Sequence, residues 1–206
     1  GKRGVLTPGA IACRATTLPA WPLFFQRLAG CLAPEVEDMI VLGIDPGTAI
    51  TGYGLVREER GAPTCVRMGA VLTRAELSLP ARLSKIYHEL CAVIADGHPD
   101  CASVEQLFFN TNAKSALAVG HARGVALLAC ANSGIPVVEY TPLQVKLAVS
   151  GYGRADKKQI QSMVKLLLRL DAEPRPDDVA DALAIAICHL NSTPYQAYAN
   201  RDGDRV

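Results

Sequence analysis

Residues 39–56, MIVLGIDPGTAITGYGLV, decide the fold. Met39 to Asp45 is a short apolar run rich in β-branched residues, which predicts a buried strand ending on a carboxylate. PGTAITG is a tight turn. The chain then returns as a second strand over Tyr53–Glu58 and, past a hairpin loop at Gly61-Ala62-Pro63, as a third over Thr64–Thr73. Downstream, Leu79, Leu83, Ile86, Leu90, Val93 and Ile94 recur at spacings of four and three, an amphipathic helix that ends near Gly97-His98-Pro99. Ala102–Phe108 is a strand, and Lys114–Ser133 a long helix stopped by Gly134. Val137–Tyr140 is a further strand, and Pro142–Val149 a short helix. The basic, glycine-containing loop GYGRADKK leads into a helix over Lys157–Leu170, and a last helix covers Asp178–Leu190. Three antiparallel neighbours followed by two strands reached through helices predict an α/β fold. Its sheet is mixed and five-stranded, with helices on both faces.

The chain has 206 residues, half of them apolar, enough for one sizeable core. The expected organisation is a domain over residues 39–192, a polar, flexible tail over 193–206, and an extension over 1–38 that lacks any clear period. Met39 is where the regular pattern begins, and it reads as a plausible true start. That makes the extension poorly ordered or an artefact of start-site choice, the alternative being an interaction arm around Trp21–Leu28. Seven scattered cysteines without C-x-x-C spacing argue against a zinc site and fit reduced thiols in a cytoplasmic protein. The apolar runs are too short or too interrupted for a membrane span. Net charge is +1, yet residues 110–170 hold eight Lys and Arg against two acids. Such a segment either presents a cationic face to a polyanion or is a set of solvated helix faces.

Four carboxylates stand out against apolar surroundings. Asp45 closes a strand that is otherwise apolar and precedes Pro46-Gly47. It is either a ligand at a sheet edge or a carboxylate bonded to its own turn. Glu105 lies inside a strand with apolar neighbours. A carboxylate there needs a partner or a cation, unless the strand is an edge open to water. In PDDVADALAIAI, residues 176–187, Asp178 and Asp181 share a helix face, and so do Asp177 and Asp181. Acids at a helix start also complement its dipole, which accounts for Asp177 better than for Asp181. Spacing does not choose between Asp177 and Asp178. Converging carboxylates suit phosphodiester cleavage, where two Mg²⁺ ions about 4 Å apart activate a water and stabilise the leaving oxygen.

Four strings taken in order, VLGIDPGTAITGYGLV, SVEQLFFNTNAKSALAVGHARGVALLA, VVEYTPLQVKLAVSGYGRADKKQIQSMV and PDDVADALAIAICH, closely resemble the RuvC-type Holliday junction resolvases of bacteria. The likeness runs from about Met39 to Ser192. It implies a ribonuclease-H-like fold and a homodimer that cuts four-way DNA junctions symmetrically. It also implies metal-dependent hydrolysis leaving 5′-phosphate and 3′-hydroxyl ends, and docking with the RuvA–RuvB branch-migration helicase. The implied catalytic and metal-binding set is Asp45, Glu105, Asp178 and Asp181, holding two Mg²⁺ with Mn²⁺ as a substitute. The implied DNA contacts include Phe108, an aromatic past the glutamate, together with Lys146 and Lys157. Lys114, Arg123, Arg154 and Lys158 join them from the basic segment. On residue type alone Phe108 stacks on a base or packs in the core. Gly120 and Gly124 seat either a second helix or the sheet. His121, His189 and Cys188 read as structural. The extension over 1–38 departs from the family. GIDPGT alone also opens sugar kinases and actin-like ATPases, but those need a second domain and a second phosphate loop for which this chain has no room. A metal-free DNA-binding scaffold and a nuclease acting on RNA ends are the other readings. All four carboxylates are present, which counts against the scaffold, and a cleavage assay comparing junction, duplex and RNA separates the remaining readings.

Overall fold

The computed structural model describes the backbone of residues 39–59, 61–106 and 113–203, with the side chains of that set except 113–116 and 193–203. Five strands and five helices lie among the described residues. They are β1 (Ile40–Asp45), β2 (Ile50–Glu59), β3 (Ala62–Leu72), α1 (Leu79–Gly97), β4 (Cys101–Glu105), α2 (Ala113–Asn132), β5 (Val137–Tyr140), α3 (Pro142–Ser150), α4 (Lys157–Leu167) and α5 (Asp177–Gly203). The sheet order is β3-β2-β1-β4-β5. The first three strands are antiparallel, and β4 and β5 are added in parallel through helical crossovers. This is the mixed sheet expected from the order of elements.

Strand alternation divides the core in two. Leu42, Ile44, Leu55, Ala102 and Val104 pack with α1 and α2 on one face, whereas Val41, Val56 and Cys101 pack with α3, α4 and α5 on the other. Gly43 and Asp45 share the face of Val41, and Ser103 and Glu105 that of Cys101, so both strand carboxylates fall on the α5 side. Helix α5 is apolar all round because it is enclosed, with Val179, Ala180 and every residue from Ala182 to Leu190 buried between the sheet and the α3–α4 layer.

Glycines determine how closely α5 approaches. A Cβ at Gly43 would overlap the Ala182 carbonyl, one at Gly52 the Asp178 carbonyl, and one at Gly54 the Leu183 side chain. Helix backbone therefore lies directly on strand backbone, and the start of α5 is held beside the end of β1.

Some boundaries differ from those read in sequence. The predicted turn PGTAITG is shorter than its sequence suggests: Ile50, Thr51 and Gly52 pair with Leu72, Val71 and Ala70 and extend the strand. The ladder with β3 outweighs the turn propensity of that stretch. β4 ends at Glu105, and Phe108 lies outside the described residues. The α5 backbone continues helical to Gly203, past the Ser192 boundary. Gly120 and Gly124 do not face the sheet; Ala122, Ala126, Ala129 and Cys130 do, and a Cβ at either glycine would meet nothing within 4 Å.

The glycine seat has a direct test. Gly52→Ala should destabilise the protein by about 1–3 kcal/mol through overpacking. Gly120→Ala, where a Cβ meets nothing within the protomer, should leave the protomer's core packing intact and cost less than Gly52→Ala. Urea unfolding of both variants checks this, and equal midpoints would show that α5 is not seated as described.

Candidate active site

Asp45 is the last residue of β1, and Glu105 the last of parallel β4. The register Ile44↔Val104 carries forward to place the two carboxylates side by side at the carboxyl edge of the sheet. Asp45 pairs with Gly52, on whose bare face the Asp178 carbonyl rests. That contact brings Asp178, and one turn on Asp181, over the strand ends. The turn after Asp45 is pinned: Arg82 donates to the Thr48 carbonyl at 2.8 Å from Nη2 and 3.1 Å from Nε, and Thr51 Oγ1 donates to the Gly47 carbonyl at 2.7 Å.

Asp45 feels the charge of the other three acids. The Asp45 carboxyl is pushed up from 3.8 to about 7, first by burial and then by the charges of Asp181, Asp178 and Glu105, with Lys157 opposing. Glu105 is raised by burial and by Asp181, with Lys146 opposing. Asp181 is raised by burial despite its bond to Lys157. Lys157 Nζ stands 3.1 Å from Asp181 Oδ2 and 3.6 Å from Asp177 Oδ2. Burial lowers the Lys157 ammonium, and these two pairings more than offset it, so its pKa is raised. A cleft of about 220 Å³ opens here, lined by Glu105, Lys146, Lys157 and Asp181 over an apolar floor that includes Val145, Ile160 and Ile185.

Four hard oxygen donors in one half-buried place are chemically suited to a divalent cation such as Mg²⁺ or Mn²⁺. As they stand, no three of the described Asp, Glu, His or Cys side chains are disposed to hold one ion. Coulombic coupling reaches further than ligation. The charges of Asp181, Asp178 and Glu105 add to burial in raising Asp45, and a lysine occupies Asp181, an oxygen donor that a cation would need. The donor set fits a metal, and small side-chain movements with departure of the Lys157 ammonium are what loading requires.

The other expected residues divide. Lys146 and Lys157 face the cleft. Arg154 is exposed on the loop before α4, and Lys158 is exposed on α4, where it lines a separate groove with Tyr152 and Leu166. Arg123 is a correction. It is 9% exposed, its Nη1 donates to the Glu105 carbonyl, and its Nη2 lies 2.6 Å from Glu139 Oε1. It ties α2 to the ends of β4 and β5 and holds Glu105 in place instead of facing DNA. The Lys114 side chain and Phe108 lie outside the described residues. His189 is buried between Tyr140 (Nδ1 to Oη, 2.9 Å) and Cys101 (Nε2 to Sγ, 3.3 Å), and Cys188 is core. Sequence reasoning missed Arg82 as the brace behind Asp45 and Asp177 as a partner of Lys157; the PDD run was the only signal for the latter.

Five strands in this order, with helices on both faces and acids at the central strand ends, define a ribonuclease-H-like α/β protein with a carboxylate site. The family model for crossover junction endodeoxyribonuclease RuvC matches residues 41–189. The chain is 61% identical over 151 residues to the crossover junction endodeoxyribonuclease RuvC of Desulforamulus reducens, covering 73% of this chain and 93% of that one. The Thermus thermophilus RuvC structure superposes with a TM-score of 0.71 at 35% identity, covering 77% of this chain and 97% of that one. The T. thermophilus protein in complex with Holliday junction substrate matches with a TM-score of 0.70 at 33% identity, covering 76% and 96%. The chain belongs to the RuvC family of crossover junction endodeoxyribonucleases.

The raised carboxyls have a pH signature. Folded Asp45 keeps its proton between 3.8 and about 7, where the unfolded chain has lost it. Stability of the metal-free protein should therefore fall as pH rises through that window. Asp45→Asn should flatten the decline. Thermal melts between pH 5 and pH 8 in chelator test this, and parallel curves for the two proteins would refute the convergence.

Proposed function

We propose that this protein resolves four-way DNA junctions by metal-dependent phosphodiester hydrolysis, with Asp45, Glu105, Asp178 and Asp181 holding the metal. The observation that carries this is the gathering of acids at one sheet edge beside two lysines, where burial and neighbouring charge raise the Asp45, Glu105 and Asp181 carboxyls and the Asp178 charge adds to the effect on Asp45. A bound divalent cation supplies an activated water and neutralises charge on the phosphate. The chain's own residues do the rest. Asp45 and Glu105 are fixed by the strands, and Asp178 and Asp181 by the seat of α5. Lys146 and Lys157 face the cleft from α3 and α4, where they attract a phosphodiester and offset the acids. Exposed Arg154 and Lys158 are assigned to DNA by charge and Lys114 and Phe108 by sequence pattern alone. The preferred ions are two Mg²⁺ per site, with Mn²⁺ able to substitute, and the products carry 5′-phosphate and 3′-hydroxyl ends.

Two like strands of a junction must be cut in step, and a two-fold homodimer supplies two identical sites for that. The open face of α2, with Gly120 and Gly124 bare and Leu117 and Leu128 exposed, suits a second copy. The T. thermophilus complex with a Holliday junction supports the choice of substrate. The RuvA–RuvB branch-migration complex is the assigned partner and the cytoplasm the assigned location. Among the described residues no helix is long and apolar enough to cross a membrane.

Asp45→Asn should reduce junction cutting in Mg²⁺ by about a hundred- to a thousandfold, the scale on which loss of a central electrostatic group acts. Junction binding should stay intact or tighten, because binding rests on contacts to the phosphate backbone. Cleavage gels with four-way junction, duplex and RNA, alongside gel-shift titrations, decide it; cutting at a comparable rate would remove Asp45 from the metal site. Deleting residues 1–38 should leave dimerisation and cutting unchanged, measured by sedimentation and the same gels. Loss of either would make the extension a working part.

A further inference from the structure

The Lys157 ammonium is shared between two carboxylates in different surroundings. One is Asp181, inside the acidic cluster. The other is Asp177, at the first turn of α5 and on the rim. Asp177 is itself held. Arg175 Nη1 donates to Asp177 Oδ1 at 2.7 Å, and Oδ2 is the oxygen left for Lys157. Arg175 Nη2 lies 3.6 Å from Glu173 Oε2, and Ser162 Oγ donates to Glu173 Oε1 at 3.1 Å. A continuous polar line thus runs from α4 through the loop before α5 to Lys157 and into the cluster.

An ammonium on Asp181 competes with any cation that needs the same oxygen. Loading requires Lys157 to let go, and a lysine released into water is lost to the cleft. We propose that Asp177 is a positioning residue that retains the Lys157 ammonium at the cleft rim when a divalent cation takes Asp181, with Arg175 fixing the Asp177 carboxylate for that task. This rests on the reading of Asp181 as a metal ligand. Complementing the helix dipole explains an acid at position 177. It does not explain why one of its oxygens is bound by Arg175 while the other meets the lysine that is also on Asp181. Retention leaves the lysine one carboxylate away from the cluster, where an incoming phosphate can take it over.

The test is Mn²⁺ binding to the DNA-free full chain, followed by calorimetry. D177N should weaken Mn²⁺ about three- to fivefold, the scale of one partly exposed ion pair, because Lys157 is then left with Asp181 alone. K157A should tighten binding by removing the competitor. Placed on K157A, D177N should change the affinity less than about twofold, and D177E should restore near-native binding in the presence of Lys157. Equal losses from D177N with and without Lys157 would make Asp177 a diffuse negative charge and overturn the proposal. No loss in either background overturns it too. If D181N abolishes Mn²⁺ binding while D177N has no effect, the positioning role fails alone; if the native protein binds no Mn²⁺, the metal reading fails with it.

Discussion

Everything at this site depends on α5 lying backbone to backbone on the sheet. Only glycine permits it: at Gly43 and Gly52 any side chain would occupy the space of the Ala182 and Asp178 carbonyls. Ordinary helix-on-sheet packing places side chains between the two backbones. Here the chain forgoes those side chains on two strands so that the first turn of the helix reaches the end of β1. The remaining length of α5, buried from Ala182 to Leu190, supplies the apolar contact that holds the turn there. The acids are thus placed by the most buried helix described, and moving them would mean moving the core.

That arrangement sets stability against function. Four carboxylates at one half-buried edge repel one another, and a proton is retained on Asp45 up to about pH 7. The protein offsets the repulsion with cations drawn from the outer helices: Lys157 on Asp181, Lys146 near Glu105, and the positive end of α5 beneath Asp177 and Asp178. Each offset is partial and reversible, as a site that must accept a stronger cation requires. Arg123 is different in kind. Bound to the Glu105 carbonyl and to Glu139, it is buried and fully engaged, and it stiffens the strand end without neutralising the glutamate.

Much of this was legible in the residues because strand and helix periods are local. Alternation through Val41, Gly43 and Asp45 puts the carboxylate on one face, and a three-residue step puts Asp178 and Asp181 together. What local pattern could not supply was the partner of each group. Asp177 and Asp178 are equivalent by spacing, and only the seat of Asp178 on Gly52 and the grip of Arg175 on Asp177 separate them. Arg123 resembles any helical arginine until a crossover brings Glu139 beside it. Ile50 to Gly52 carry turn residues, and they join β2 because β3 offers them a complete ladder. Each of these depends on a contact distant in the chain, which neither composition nor periodicity encodes.

The division of labour in the cleft bears on selectivity. The sheet contributes two acids and α5 two more, while α3 and α4 contribute the lysines, so under the proposed function a substrate strand would meet acids on one side of the cleft and lysines on the other. Carboxylate, metal and ammonium groups all address phosphate oxygens, and none of them distinguishes one base from another. The described lining of the cleft, Glu105, Lys146, Lys157 and Asp181 over Val145, Ile160 and Ile185, has no amide or arginine placed to read a base edge. Discrimination at the described part of the site must therefore come from where the backbone is presented. A four-way junction offers its strands at positions and angles that a linear duplex cannot, and the paired sites of the proposed homodimer would select for that geometry. The close seat of α5 serves this end as well, because selection by shape works only when the reactive groups cannot follow the substrate.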